Sequence, residues 1–82
     1  MFSTIPRQFI DSSMLKSIGY DAERQVLVLE FAGYETIYEY YNVPSDIYEA
    51  LLESDSVGRT FNQLVRNHFN YQKMESEEIF YF

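Results

Sequence analysis

Two neighbouring segments in which side chains alternate with a period of two constrain this chain more than any other feature. The segment VLVLEF at residues 26–31 places its two leucines on one face of an extended strand. Residues 36–41 alternate in the same way and put Tyr38 and Tyr40 on one face. Gly33 lies between the two segments and can adopt the positive φ of a tight turn. The pattern predicts a β-hairpin.

A strand before the hairpin and two helices after it complete the predicted fold. Residues 15–20 are predicted to form the first strand. Pro44 suits the first turn of a helix, where its missing N–H would have no partner, and residues 47–52 follow with apolar side chains at helical spacing. Residues 54–56 can cap a second helix over residues 57–69. The predicted fold class is α+β, a three-stranded antiparallel β-meander packed by two C-terminal helices (βββαα).

The size and composition of the chain predict one small domain. Its 82 residues, 46% of them hydrophobic, suffice for a single core, so residues 1–82 form one domain. We place the core at about residues 12–71, with an N-terminal extension over 1–11 and an acidic aromatic C-terminal tail over 74–82. The absence of cysteine excludes thiolate chemistry and suits a reducing compartment, so the predicted location is cytoplasmic. No secretory signal and no membrane span are predicted.

Charge is distributed unevenly along the chain. Six basic and thirteen acidic residues give a net charge of −7, which repels polyanions and argues against DNA as a partner. Residues 21–55 hold nine acidic residues and one basic residue, whereas residues 56–73 hold Arg59, Arg66 and Lys73 and no acidic residue. The sequence is therefore locally basic in its second predicted helix and shortly after it.

One face of the second predicted helix is the strongest candidate for a binding site. Its residues are Ser56, Gly58, Arg59, Asn62 or Gln63, and Arg66. Helical spacing aligns the two guanidinium groups with an amide, and arginine presents a planar fork to phosphate or carboxylate. The helix start offers N–H groups, and its glycine allows a ligand close to the backbone. In the alternative reading, the two arginines pair with Asp55 and other acidic residues of the same chain.

The other candidate residues are aromatic or titratable. Tyr38 and Tyr40 can stack on bases, as in sheet-based RNA readers, or they can belong to the core with their hydroxyls at its rim. His68 is the only histidine, and without a partner pattern it is predicted to lie at the edge of the core. No metal site and no cofactor are predicted. No serine or lysine has an evident base beside it, so no enzyme is predicted.

The order of residues resembles the KTSC domain family over residues 12–71. The resemblance rests on Ser12, Ser13, Ile18, Gly19, Tyr20, Asp21, residues 27–31, Gly33, Tyr38, Tyr40, Val43, Pro44, Tyr48, Leu51, Leu52, Ser56, Gly58, Phe61, Asn62 and Arg66. KTSC domains occur at the end of some lysyl-tRNA synthetases and as stand-alone proteins of bacteria and their phages. The resemblance implies a small stand-alone protein of this kind, with RNA binding as the suggested role.

Three functional predictions from different classes follow. The first is a non-enzymatic module that captures a phosphate-bearing ligand, either a free nucleotide, a nucleotide signal or RNA, on the arginine face of the second helix. The acidic field favours the smaller ligand, because a long phosphate backbone would meet carboxylates within a Debye length of about 8–10 Å. The alternative is an acidic protein-interaction module or homo-oligomer that uses the tail residues Ile79, Phe80, Tyr81 and Phe82. A phosphate-ester hydrolase ranks last.

Overall fold

The computed structural model describes residues 5–33 and 36–75, which form one antiparallel sheet and two helices. The elements are β1 (Gln8–Phe9), β2 (Leu15–Asp21), β3 (Val26–Phe31), β4 (Thr36–Tyr40), α1 (Ser45–Glu53), α2 (Val57–Leu64) and β5 (Tyr71–Glu75). The strands lie in the order β1-β2-β3-β4-β5, and each pairs with its neighbours in antiparallel orientation. Neither helix in these described ranges is long and apolar enough to cross a membrane.

The α+β class and the two helices are confirmed, but the prediction of three strands is wrong. The described part of the sheet has five strands, because β1 and β5 add one strand at each edge. β1 has only two residues and follows Pro6, so no alternation marks it. In β5 the two apolar residues, Tyr71 and Met74, fall on opposite faces of the strand, so the sequence carries no signal of period two.

The second helix is shorter than predicted, so the chain can turn after it and form β5. α2 ends at Leu64 instead of residue 69, and residues 65–68 form turns. Asn67 has a φ of 67°, in the left-handed region that asparagine tolerates better than most residues. His68 is therefore exposed in this turn and does not lie at the edge of the core as predicted.

The helices cover one face of the sheet and create the main core there. Leu27 and Leu29 of β3 share this face with Tyr40 of β4, because Leu27 pairs directly with Tyr40. Leu51 of α1 and Phe61 of α2 pack on them and are fully or almost fully buried. The period-two pattern of β3 and the helical pattern of α1 thus meet in one apolar layer.

The opposite face of the sheet is also buried and contains a charged group. The apolar residues on it are Ile5, Val26, Val28, Ile37 and Met74. Among them the carboxylate of Glu30, 2% exposed, accepts a hydrogen bond of 2.9 Å from Ser17 Oγ. Arg7 Nη1 and Lys16 Nζ each lie 4.0 Å from a carboxylate oxygen of Glu30. These neighbours offset part of the desolvation cost of the buried charge.

Gly19 permits the segment before β1 to lie against β2. A Cβ atom at this position would overlap the backbone carbonyl oxygen of Pro6 and would crowd the side chain of Arg7. Gly58 of α2 is also buried, but a Cβ there would meet mainly the side chain of Met14, with the flexible Sδ at 2.8 Å. An added methyl group would therefore displace backbone at Gly19 but only a flexible side chain at Gly58.

We expect Gly19→Ala to destabilise the protein by about 1–3 kcal/mol, because a backbone carbonyl must move to make room for the added methyl group. Gly58→Ala is the matched control: the helix gains about 0.5–1 kcal/mol of propensity, which offsets displacement of the Met14 side chain. Urea unfolding of both variants and of the wild type measures the difference. Equal stability of the two variants would contradict the close packing of residues 5–7 on β2.

Candidate ligand-binding cleft

An open cleft lies on the helix-covered face of the sheet, where β4 and β5 extend beyond the helices. Its volume is about 760 Å³. The described residues that line it are Ser13, Met14, Phe31, Ala32, Thr36, Tyr38, Tyr40, Phe61, Arg66, Asn67, Tyr71 and Lys73. Five of these residues are aromatic and two are cationic, so we refer to this set as the aromatic cleft.

Pairing between β4 and β5 assembles one wall of the aromatic cleft. Tyr38 lies directly opposite Lys73, and Tyr40 lies directly opposite Tyr71. Residues that are opposite each other in an antiparallel pair, or two apart on one strand, point to the same face. The ring centroids of Tyr38 and Tyr40 accordingly lie 5.5 and 5.3 Å from that of Tyr71. Three phenol rings and one ammonium group form a continuous patch.

The aromatic rings differ in depth. Tyr40 and Phe61 are 5% and 2% exposed and form the floor, with their ring centroids 5.7 Å apart. Phe31 and Tyr38 are partly buried above them. Tyr71 lies on β5, at the edge of the described sheet, and is 55% exposed. The cleft thus combines a rigid apolar base with one ring that is open to solvent.

Two cations face the aromatic cleft. Lys73 Nζ lies 5.8 Å from the ring centroid of Tyr38, within the range of a cation–π contact. Arg66 Nη1 donates a hydrogen bond of 3.3 Å to Asn62 Oδ1, which orients the guanidinium group. Across the described residues neither cation forms an ion pair, and no carboxylate is among the described lining residues. The lining that the structure describes is therefore basic, although the chain is acidic.

The structure brings together only some of the predicted site residues. Tyr38, Tyr40 and Arg66 line the aromatic cleft, and Asn62 contacts it through Arg66. Arg66, two residues beyond the end of α2, makes the predicted contact with the amide of Asn62, whereas Arg59 does not line the cleft with it. The alternative prediction was that Arg59 and Arg66 pair with Asp55 and other acidic residues. Within residues 5–33 and 36–75, neither arginine forms such an ion pair.

The residues predicted at the start of the second helix have structural contacts there. Ser56 caps α2: its Oγ accepts a hydrogen bond of 3.4 Å from the backbone N–H of Arg59. Gly58 is buried, and the Met14 side chain occupies the approach to it. The side chain of Arg59 is exposed and is not among the residues that line the cleft.

The sequence did not predict the contribution of β5 to the aromatic cleft. Tyr71 and Lys73 reach the cleft only because β5 returns to pair with β4, about thirty positions away in the chain. Lys73 belongs to the basic stretch of residues 56–73. The spacing of two residues between Tyr71 and Lys73 is a weak signal that both lie on one face of a strand. The predicted tail contacts at residues 79–82 lie outside the described residues.

Burial changes the acidity of the deepest phenol in the cleft. Loss of solvent raises the pKa of Tyr40 from 10.0 to about 12, and the nearby hydroxyls of Tyr71 and Tyr38 act in the same direction. Arg66 acts in the opposite direction, because a cation favours the phenolate. Tyr40 is therefore a neutral hydroxyl over the whole physiological range. In the described ranges, no three His, Asp or Glu side chains are grouped so that they could hold a metal ion.

The raised pKa of Tyr40 predicts a loss of stability in alkaline solution. Because the pKa of Tyr40 is higher in the folded than in the unfolded state, its neutral phenol contributes fully to the unfolding free energy below pH 10.0. This contribution is lost as the pH rises to about 12. We expect the unfolding free energy of the wild type to fall more steeply over this window than that of Tyr40→Phe, which cannot ionise. Urea unfolding at several pH values measures both slopes. Parallel curves would contradict the burial of Tyr40.

Comparison with known proteins agrees with the resemblance drawn from the residues. A family model described as KTSC domain matches residues 11–69. A small protein of Stutzerimonas stutzeri is 43% identical over 70 residues, which cover 84% of this chain and 97% of that protein. A lysine–tRNA ligase of Nostoc punctiforme is 30% identical over 64 residues, 78% of this chain but only 11% of the ligase.

A solved structure has the same fold. The crystal structure of a KTSC domain protein from Yersinia pestis matches with a TM-score of 0.81 and 30% sequence identity. The match covers 87% of this chain and 99% of the other. The fold described above is therefore shared over nearly the whole of that protein.

Proposed function

This chain belongs to the KTSC domain family, and we propose that it is a non-enzymatic module that captures a phosphate-bearing ligand, a nucleotide or RNA, in the aromatic cleft. The observation that carries the proposal is the local reversal of charge. A chain of net charge −7 places Arg66 and Lys73 beside a cluster of aromatic rings, with no carboxylate among the described lining residues. Anions are attracted to this part of the surface and repelled by most of the rest.

The two kinds of group in the cleft match the two parts of a nucleotide. The guanidinium of Arg66 presents a planar fork for phosphate oxygens, and the ammonium of Lys73 adds a compact charge. An exposed tyrosine ring such as that of Tyr71 offers a surface for a base, and stacking on an aromatic ring is worth about 1–3 kcal/mol per base. The proposal therefore retains Arg66 from the predicted site but moves the ligand from the helix face to the cleft.

The lining residues support binding more than chemistry. The described lining contains no carboxylate and no histidine beside the hydroxyls of Ser13 and Thr36, so it offers neither of these bases to activate them. The buried Tyr40 hydroxyl, with its pKa raised to about 12, is a poor proton donor at neutral pH. A module of this kind acts by holding its ligand.

Likeness to other proteins adds context to the proposal. The match to part of a lysine–tRNA ligase is compatible with a ligand that is RNA or a nucleotide. Nucleotides and RNA are most abundant inside cells, so the proposal includes a cytoplasmic location. It also excludes DNA and membranes as partners, because the acidic surface repels duplex phosphates and anionic lipids.

Two arginine variants test the placement of the ligand. We expect Arg66→Gln to abolish stabilisation by nucleotides or short RNA, and Arg59→Gln to leave it unchanged, because only Arg66 lines the cleft. A thermal-shift series with 5′-mononucleotides and short single-stranded RNA measures this, since a ligand at 100 times its Kd adds about 2.7 kcal/mol of stability. The two variants remove the same charge, so a change in net charge alone affects them equally.

The reverse result would place the ligand at the start of α2. Loss of binding in Arg59→Gln with binding intact in Arg66→Gln would overturn the placement in the cleft. The absence of any stabilisation of the wild type, at low and at moderate salt, would contradict the proposed function itself.

A further inference from the structure

The shape and charge of the aromatic cleft distinguish between the two ligand classes. We infer that its occupant is a free nucleotide with a terminal phosphate, whose single base stacks on Tyr71 and whose phosphate lies between Arg66 and Lys73. This inference rests on the proposed function and narrows it. RNA recognised through its internal phosphates is the other outcome of the test.

The arrangement of the rings provides a stacking surface for only one base. Tyr40 and Phe61 are buried in the floor and present no open ring face. The rings of Tyr38 and Tyr71 are tilted by 56° at 5.5 Å, so they do not form a parallel-walled slot into which a second base could insert. Sheet-based RNA readers present rings on which two or three successive bases stack. Here Tyr71, 55% exposed, is the ring that remains available.

The contacts of Tyr38 further limit its use as a second platform. Its ring centroid lies 5.2 Å from that of Phe31, with the two rings inclined by 63°, and the ammonium of Lys73 lies 5.8 Å from the Tyr38 centroid. The ring therefore holds the lysine in place and is itself only partly exposed. We assign Tyr38 the role of positioning Lys73, which lies on β5 next to Tyr71, the ring that stacks on the base.

The number of cations matches a terminal phosphate. Arg66 and Lys73 contribute two positive charges to the described lining of the cleft. A phosphate monoester carries a charge of about −1.5 to −2 at neutral pH, whereas each internal phosphodiester of RNA carries one negative charge per nucleotide. Arg66 is held by Asn62 through a bond of 3.3 Å, so its fork is already oriented. A compact dianion uses both cations at once.

The surface beyond the cleft opposes a longer polyanion. The exposed acidic residues in the described chain include Asp11, Glu23, Asp46, Glu49, Glu53 and Asp55. The described part of the molecule measures only 29 × 26 × 20 Å, so a strand that follows its surface comes close to some of these carboxylates on the scale of the Debye length, about 8 Å at physiological salt. An RNA strand that leaves the cleft passes these carboxylates, whereas a nucleotide that fits within the cleft has none among the described residues that line it.

The test compares four ligands on the full chain by isothermal titration calorimetry. They are a set of 5′-mononucleotides, the matching nucleosides, inorganic phosphate, and a single-stranded hexaribonucleotide with a 5′-hydroxyl. We expect at least one mononucleotide to bind at least tenfold more tightly than its nucleoside, than phosphate and than the hexanucleotide. Tighter binding of the hexanucleotide, lost in Arg66→Gln, would overturn this inference and leave the proposed function standing. No binding by any of the four would contradict both.

Two tyrosine variants and a matched control test the stacking role. Tyr71→Ala should weaken mononucleotide binding about 5- to 150-fold, and Tyr71→Phe should retain it, because stacking needs the ring and not the hydroxyl. Phe9→Ala removes a ring that is 60% exposed on β1, away from the cleft, and should not change the affinity. Equal affinities of Tyr71→Ala and wild type would contradict the stacking role.

An independent variant keeps the inference testable if loss of the ring disturbs β5. Lys73→Gln retains a long polar side chain on the strand. We expect this variant to lower the affinity for mononucleotides more than the affinity for nucleosides. Circular dichroism and urea unfolding confirm whether each variant is folded. If a folded Lys73→Gln loses equal affinity for both ligand types, Lys73 does not contact the phosphate and the inference fails.

Discussion

Antiparallel pairing of β4 with β5 is the constraint on which the candidate site depends. It sets Tyr38 opposite Lys73 and Tyr40 opposite Tyr71, so that residues far apart in sequence share one face. A shift of this register by one residue would turn Tyr71 and Lys73 to the opposite face of the sheet, because side chains alternate along a strand. The cleft would then lose its exposed ring and one of its two cations together.

The cleft exists because the helices are narrower than the sheet. α1 and α2 have nine and eight residues and pack on the central strands, where Phe61 and Leu51 seal the core. Tyr71 and Lys73 of the edge strand β5 are exposed to solvent on this face. On the other face, the buried Glu30 and its neighbours hold the segment that precedes β1 against β2. The face of the sheet that holds Glu30 is thus closed by the N-terminal segment, whereas part of the helix-covered face is open to a ligand.

The sequence predicted the parts of the fold that carry a local pattern. β3 and β4 follow from period-two alternation, and α1 follows from Pro44 and helical spacing. The two edge strands were missed because β1 is two residues long and β5 has no apolar face. The helix period continues through Phe69 in the sequence, whereas the chain turns at Asn67 with positive φ, so tertiary pairing of β5 overrides the local pattern.

The same distinction applies to the site. Tyr38, Tyr40 and Arg66 could be selected from residue type and spacing, but their neighbours Tyr71 and Lys73 depend on long-range pairing that one sequence does not reveal. An NMR titration of labelled protein with a 5′-mononucleotide tests the central claim most directly. The account predicts the largest amide shifts at residues 36–40 and 71–73, with little change at residues 56–59. Shifts centred on residues 56–59, with the β4–β5 pair unchanged, would contradict it.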